Sequence, residues 1–352
     1  MKAAVLYEAR KPLEIDDLEI PAIGDDELLI RVAACGVCHT DLKVAEGGTP
    51  FTAPSLLGHE VSGVVEKVGG LQKGAFAEGQ PVIVGMRYKC GRCRYCMAGR
   101  DNLCRNRPKP RPVKKKDGSP VYPWNVGGFA QYLAAPGYMV YPIPNGLGLD
   151  EASLIGCRVT TAYNAVKHGA ELAPGDSALV IGCGGVGLNT IQFLKCFGAY
   201  PIVAVDVLEE KLEAAKRFGA THTVNASKED PVKAAREMTD GGVDKAFEAI
   251  GNPQTVDQIV RATRPGGTAV IIGGLGRIPL TLSDATFAFS EIKVTGVQSR
   301  RANDVTEVLR MASQGRIELK SLITKKYPFE EINEALADLE KGRLLMGISL
   351  WN

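Results

Sequence analysis

The stretch SALVIGCGGVGLNTIQFLKCFG at residues 177–198 decides the fold. Its opening is an apolar run of the length that a fully buried strand needs, and its second half carries apolar residues at helical spacing. Between the two stand Gly182, Gly184, Gly185 and Gly187 in the pattern GxGGxG. Glycines there permit a sharp turn and close approach of phosphates to the backbone, and the helix that follows presents unpaired N–H groups to their charge. Working outward, the next strand, PIVAVD at 201–206, ends in Asp206, 19 residues beyond Gly187. A carboxylate at that place can accept hydrogen bonds from both hydroxyls of an adenosine ribose. A tight strand-to-helix turn without a ligand would explain the glycines but leave Asp206 unused. The spacing therefore points to a dinucleotide on Gly182, Gly184, Gly185, Val186, Gly187 and Asp206. Because Asp206 would repel a 2′-phosphate and Val207 and Leu208 bring no cation, NAD is expected over NADP.

Beyond Asp206 the same alternation continues. An amphipathic helix, LEEKLEAAKRFG, is closed by Gly219, strands are expected at 221–224, 243–249, 268–272 and 292–297, and helices at 231–238 and 255–263. Strands joined through helices make an α/β fold, a doubly wound parallel sheet of six strands. Upstream, the texture is of short strands at 2–7, 28–33, 60–68 and 81–84 separated by turns, which reads as a β-rich domain. The tail from 303 holds two helical patterns and a last apolar strand, GISLW, able to return to the first domain. At about 150 residues per domain, 352 residues predict roughly two.

Composition narrows the function classes. With 45% hydrophobic and 23% charged residues the chain is globular rather than disordered, and a net charge of +2 gives no global field for nucleic acid or an acidic membrane. The N-terminus lacks a signal-peptide pattern and no apolar run is long enough to span a bilayer, so a cytoplasmic protein is expected.

Nine cysteines are present, four of them clustered as Cys90, Cys93, Cys96 and Cys104 in CGRCRYCMAGRDNLC. Four thiolates on one loop can close a tetrahedral zinc site with no position left for substrate, which makes its role structural; an iron–sulfur cluster needs the same ligand count, and free or disulfide-bonded cysteines are the alternative without metal. Cys38 in CGVCHTD and His59 in GHE are single potential ligands far apart. Asp41 and Glu60 supply neighbouring carboxylates, and Cys157 offers a third ligand. Cys, His, Cys with one open position is a catalytic zinc pattern. Cys35, Cys183 and Cys196 are assigned to packing. The run RNRPKPRPVKKK, from Arg105 to Lys116, carries seven cations and three prolines. It could recognise an anion, but its prolines favour an extended, solvated loop.

In order and spacing, GVCHTD, LLGHEVSG, the four-cysteine loop, GCGGVG and AVD resemble the zinc-dependent medium-chain alcohol dehydrogenases, and the similarity runs end to end. The resemblance implies a GroES-like β-barrel catalytic domain at 1–158, a Rossmann NAD-binding domain at 159–295, a segment at 296–352 that completes the catalytic domain, and a reaction in the cleft between domains. It implies two zinc ions per chain. Cys38, His59 and Cys157 match the catalytic ligands, with Glu60 able to approach that metal, and Cys90, Cys93, Cys96 and Cys104 match the structural set. Thr40 matches the hydroxyl that relays the substrate proton, and Asp41 the partner of His59. His39 matches a pyrophosphate contact, Thr161 a neighbour of the nicotinamide, Lys211 a ribose contact, and Met86 and Trp124 the lining of an apolar substrate pocket. Cys157 in place of the glutamate of polyol-type relatives favours alcohols.

Three positions depart from that pattern. Lys43 stands where some members end the relay with histidine, Met346 where some have an arginine on the pyrophosphate, and Arg158 where the residue beside the third ligand is small. The activity implied is reversible oxidation of primary or secondary alcohols to aldehydes or ketones with NAD(H) in a homo-oligomer, dimer or tetramer, with a small molecule as the partner and neither nucleic acid nor membrane. A physiological aldehyde or enone reductase is the alternative on the same fold. A zinc-ribbon nucleic-acid binder would use the cysteine loop and basic run, but leaves the glycine turn and Asp206 unexplained.

Overall fold

A computed structural model gives the fold and describes residues 1–274 and 287–351. The chain divides into two units, Met1–Cys157 with Arg301–Asn352, and Arg158–Arg300.

The Arg158–Arg300 unit holds a six-stranded sheet in the order His222–Asn225, Ile202–Asp206, Ala178–Ile181, Val243–Glu248, Thr263–Ile271, Lys293–Gly296, every neighbouring pair parallel. The first strand in sequence lies in the middle and the chain winds outward both ways, so the winding reverses between Ala178–Ile181 and Val243–Glu248 and leaves a crevice at their C-terminal ends. This is the doubly wound Rossmann arrangement. Both Ala178–Ile181 and Ile202–Asp206 are buried along their whole length, the physical reason that they read as continuous apolar runs.

Helix starts follow their caps. Asp230 accepts from Val232 N and Lys233 N ahead of Pro231–Met238, and Asn252 accepts from Gln254 N ahead of Pro253–Ala262. The second helix begins before the expected Thr255 because proline at its first position sacrifices no hydrogen bond. The fifth strand starts at Thr263 rather than Thr268 and carries Pro265, Gly266 and Gly267, residues that mask a strand in sequence.

In the other unit, one sheet runs Val140–Pro142, Pro81–Val84, Glu60–Val68, Glu27–Val37, Met346–Leu350, Ile323–Pro328, with Tyr132–Pro136 also paired to Glu27–Val37. A second sheet runs Glu14–Asp17, Lys2–Leu6, Ser55–Leu56, Pro120–Pro123, Val113–Lys114. Leu28, Ile30, Val61, Val65, Val82, Val84, Phe129 and Leu133 belong to the core of this unit. The C-terminal strand pairs antiparallel with Glu27–Val37, Gly347 opposite Val37. The strand Ile323–Pro328 leaves no mark in the sequence: only Tyr327 in it is buried, so no period shows. Among the described residues no helix is long and apolar enough to cross a membrane.

Candidate functional site

Strand pairing brings the first group of donors together. Glu27–Val37 and Glu60–Val68 run antiparallel with Gly36 opposite Glu60, so Cys38, just past the first strand, reaches His59, just before the second. Gly58 makes the turn that permits this. Its φ is +86° and a Cβ there would stand 2.6 Å from Phe129 N, so only glycine fits. Cys157 follows the short helix Leu154–Gly156. Cys38 Sγ, a ring nitrogen of His59, a carboxylate oxygen of Glu60 and Cys157 Sγ all lie within 4.8 Å of one another.

Asp41, on the helix His39–Ala45, is fully buried, and its Oδ1 accepts from Gly58 N at 2.9 Å and pairs with His59 Nδ1 at 3.0 Å. With the proton on Nδ1 facing a carboxylate, Nε2 keeps its lone pair, and that atom is buried without a hydrogen-bond partner. Burial works against a charged His59, yet Asp41's charge and hydrogen bond raise its pKa well above the usual histidine value; a cation at Nε2 would take the place of the second proton. A buried acceptor left unmade is costly. Two thiols, an imidazole and a carboxylate around it form the donor set that zinc takes, so the residues present fit the metal.

Around this group, the Trp124 ring meets that of His59 edge-on with centroids 5.9 Å apart, and Met86 is buried. Thr40 is half-buried and its hydroxyl makes no hydrogen bond among the described residues. By contrast Thr190, Thr221 and Thr263 all donate to main-chain carbonyls. His39 is exposed, and burial lowers the Lys43 pKa.

The four clustered cysteines form a compact set. Their Sγ atoms are 3.6 Å apart for Cys93–Cys96 and Cys90–Cys104, 3.9 Å for Cys93–Cys104 and 4.0 Å for Cys90–Cys96. Four sulfurs at about 2.3 Å from one tetrahedral ion would stand about 3.8 Å apart. A disulfide needs about 2.0 Å, and a cluster would share the sulfurs among two or four irons and spread them. The spacing fits a single ion. Backbone N–H groups, that of Cys96 foremost, lower the Cys93 thiol to about 6, while burial and its cysteine neighbours push the Cys96 thiol up to about 12. Asp101 ties this loop down by accepting from Ala302 N at 3.1 Å.

The basic run next to the loop is partly neutralised, by carboxylates outside it. Arg111 pairs with Glu27, Lys115 with Asp16 and Tyr7, and Lys116 with Asp17, while Arg107 donates to Asn102 O. Cations engaged in this way present little field to an anion.

The glycine turn lies at the crevice of the parallel sheet. Gly182 has φ +97°, and a Cβ on Gly187 would stand 1.8 Å from Gly182 O, so both glycines are required by the turn itself. Gly184 is different. A Cβ there would meet no protein atom within 4 Å, so its backbone faces open space. It caps the helix Gly185–Cys196 without a side-chain partner for the first N–H groups, which include those of Val186 and Gly187. This fits a nucleotide pyrophosphate.

Asp206 also does something the sequence did not reveal. Its Oδ2 accepts from Cys183 N at 2.8 Å, and its Oδ1 from Val207 N at 2.8 Å and Leu208 N at 3.1 Å. The carboxylate braces the glycine turn while Oδ2, with one donor, keeps capacity for a further one. Val207 and Leu208 are exposed, and Lys211 is half-buried without an ion pair among the described residues. Thr161 is half-buried on Arg158–Asn164, Arg158 is buried in the same helix, and Met346 is fully buried in its strand. Of the cysteines assigned to packing, Cys35 and Cys183 are buried and Cys196 is half-buried.

Comparison with known proteins gives a consistent result. The chain matches the family profile described as alcohol dehydrogenase GroES-like domain over residues 24–145 and that of zinc-binding dehydrogenase over residues 185–314. It is 35% identical to an alcohol dehydrogenase of Geobacillus stearothermophilus across 98% of this chain and 97% of that one. Among solved structures, it superposes on an alcohol dehydrogenase zinc-binding domain protein from Burkholderia ambifaria with a TM-score of 0.93 and 31% identity, covering 100% of this chain and 98% of the other. It superposes on the benzyl alcohol dehydrogenase of Acinetobacter calcoaceticus with a TM-score of 0.91 and 29% identity, covering 100% and 99%.

Proposed function

The chain belongs to the zinc-dependent medium-chain dehydrogenase/reductase family and is an oxidoreductase that acts on small molecules with zinc and a nucleotide cofactor, and from that premise we propose that it is an NAD-dependent alcohol dehydrogenase with two zinc ions per chain. The observation that carries the reading is the group Cys38, His59, Glu60 and Cys157, with donor atoms within 4.8 Å of one another and the buried Nε2 of His59 awaiting a partner. Zinc bound there would act as a Lewis acid on the alcohol oxygen, and the nicotinamide would take hydride from the adjoining carbon.

The chain's own residues do the rest. Cys38, His59 and Cys157 hold the ion. Asp41 fixes the His59 tautomer, and Glu60, whose carboxylate lies within 4.8 Å of the other three donors, would be available to the ion as a further ligand. The Thr40 hydroxyl accepts the substrate proton at Oγ1 while donating its own towards the cofactor ribose. Trp124 and Met86 pack the apolar body of the alcohol and exclude water. In the Arg158–Arg300 unit, Gly182, Gly184, Gly185, Val186 and Gly187 cradle the pyrophosphate, Asp206 and Lys211 receive the ribose, and Asp206 selects NAD by repelling a 2′-phosphate. His39 contacts the pyrophosphate and Thr161 the nicotinamide. Cys90, Cys93, Cys96 and Cys104 hold the second, structural zinc.

The test is a panel of primary and secondary alcohols, and of the matching aldehydes and ketones, assayed at the NADH absorbance band with NAD(H) and NADP(H). Turnover of alcohols with higher kcat/KM for NAD is expected. No turnover of any member with either cofactor would overturn the reading.

A further inference from the structure

One charged side chain in the crevice of the parallel sheet has no role in the account above. Glu248 ends the strand Val243–Glu248, opposite Ile181 on one side and Ile271 on the other. It is 0% exposed. Its Oε1 accepts three hydrogen bonds, from Ile250 N at 2.9 Å, Gly251 N at 2.7 Å and Thr255 Oγ1 at 2.8 Å. Its main-chain carbonyl accepts two more, from Ile272 N at 2.8 Å and Gly273 N at 3.0 Å. Oε2 is buried too and has no hydrogen-bond partner among the described residues.

The fifth strand passes hard against this carboxylate. A Cβ on Gly273 would stand 2.7 Å from Oε2 and 2.2 Å from Gly251 N. The exits of the fourth and fifth strands are thus packed around one side chain, with no room for slack. Ile250, which hangs from that side chain through its N–H, stands over the glycine turn: a Cβ on Gly182 would meet Ile250 Cγ1 at 2.6 Å. A fully buried carboxylate is expensive unless its charge is used, and charge-assisted bonds to three donors hold a turn about twice as firmly as neutral ones.

We infer that Glu248 is a positioning residue for the dinucleotide: it fixes the exits of the fourth and fifth strands, and with them Ile250 over Gly182, and so sets cofactor affinity without touching the cofactor. This rests on the reading that the nucleotide lies on the glycine turn.

The experiment compares wild-type protein with Glu248→Gln and, as a milder lever, Thr255→Val, each purified with its zinc and titrated with NADH and with NADPH by protein-fluorescence quenching. For whichever cofactor the wild type binds more tightly, Kd should rise about tenfold in Glu248→Gln and by a smaller factor in Thr255→Val. Zinc content and Tm should stay near wild type, and hydrogen exchange of the cofactor-free protein should speed up only at 249–252 and 272–274. If Glu248→Gln does not fold, Thr255→Val carries the test. Affinity within about twofold of wild type in every folded variant, or faster exchange spread through the whole sheet, would overturn the inference. Tighter NADPH binding by the wild type would overturn the NAD preference alone, and binding of neither nucleotide would overturn both.

Discussion

Thr40 and Asp206 show how much of this protein rests on single oxygen atoms. The Thr40 hydroxyl is half-buried beside zinc-type ligands yet makes no hydrogen bond among the described residues. If it carries the substrate proton, Thr40→Val should lower alcohol oxidation by about 10² to 10⁴-fold, and Thr40→Ser should remain active because the hydroxyl survives. Steady-state kcat/KM at matched zinc content decides the matter, and near wild-type turnover in Thr40→Val removes Thr40 from the relay. Asp206 is a harder case because its carboxylate holds three main-chain N–H groups, including that of Cys183 in the glycine turn. Asp206→Asn, nearly isosteric, should therefore weaken NADH binding and narrow the NAD preference together. A variant that keeps both affinity and preference would show that no ribose meets this carboxylate.

Elements in this chain are held by short-range anchors whose loss should be read as stability. The loop from Cys90 to Cys104 contains one four-residue helix, Arg94–Met97, and its four sulfurs are spaced for a single ion. Cys93→Ser should release one zinc and lower Tm by about 5 °C or more, with activity surviving in the fraction that stays folded. An unchanged Tm would place the fold of that loop elsewhere. A second anchor is Asp338, on Ile332–Glu340, which accepts from Tyr327 Oη at 2.7 Å and pairs with Lys325 and Arg343. The Tyr327 hydrogen bond first, then that of Lys325, draws its pKa down to about 2. A carboxylate depressed in the folded state contributes stability above its ordinary range and loses it as pH falls towards about 2. Asp338→Asn should thus unfold more easily than wild type at neutral pH, with the two curves converging in strong acid. Thermal melts across pH 2 to 7 test this, and parallel curves would refute it.

For the whole molecule the metal count is the sharpest measurement. One open and one closed donor set should give two zinc ions per chain by elemental analysis. A mild chelator should abolish turnover before it lowers Tm, since the four-thiolate set binds through a closed shell. Active enzyme with one metal per chain would contradict this. The sequence alone determined whatever is written in contiguous residues. The strand, glycine turn, helix and Asp206 span about thirty positions, and their periods and spacings predict a Rossmann sheet because backbone geometry there is local. The four clustered cysteines are legible for the same reason. Cys38, His59 and Cys157 are not, being 21 and 98 positions apart, and only their resemblance to family motifs marked them in sequence. Tertiary structure decided that group, since the pairing of Gly36 with Glu60 and the bend at Gly58 bring the donor atoms together. It also decided the hidden work of Asp206 and Glu248, and the strand Ile323–Pro328 with its one buried tyrosine. A carboxylate's partners are chosen by folding across the chain, and no period or spacing in the sequence records them.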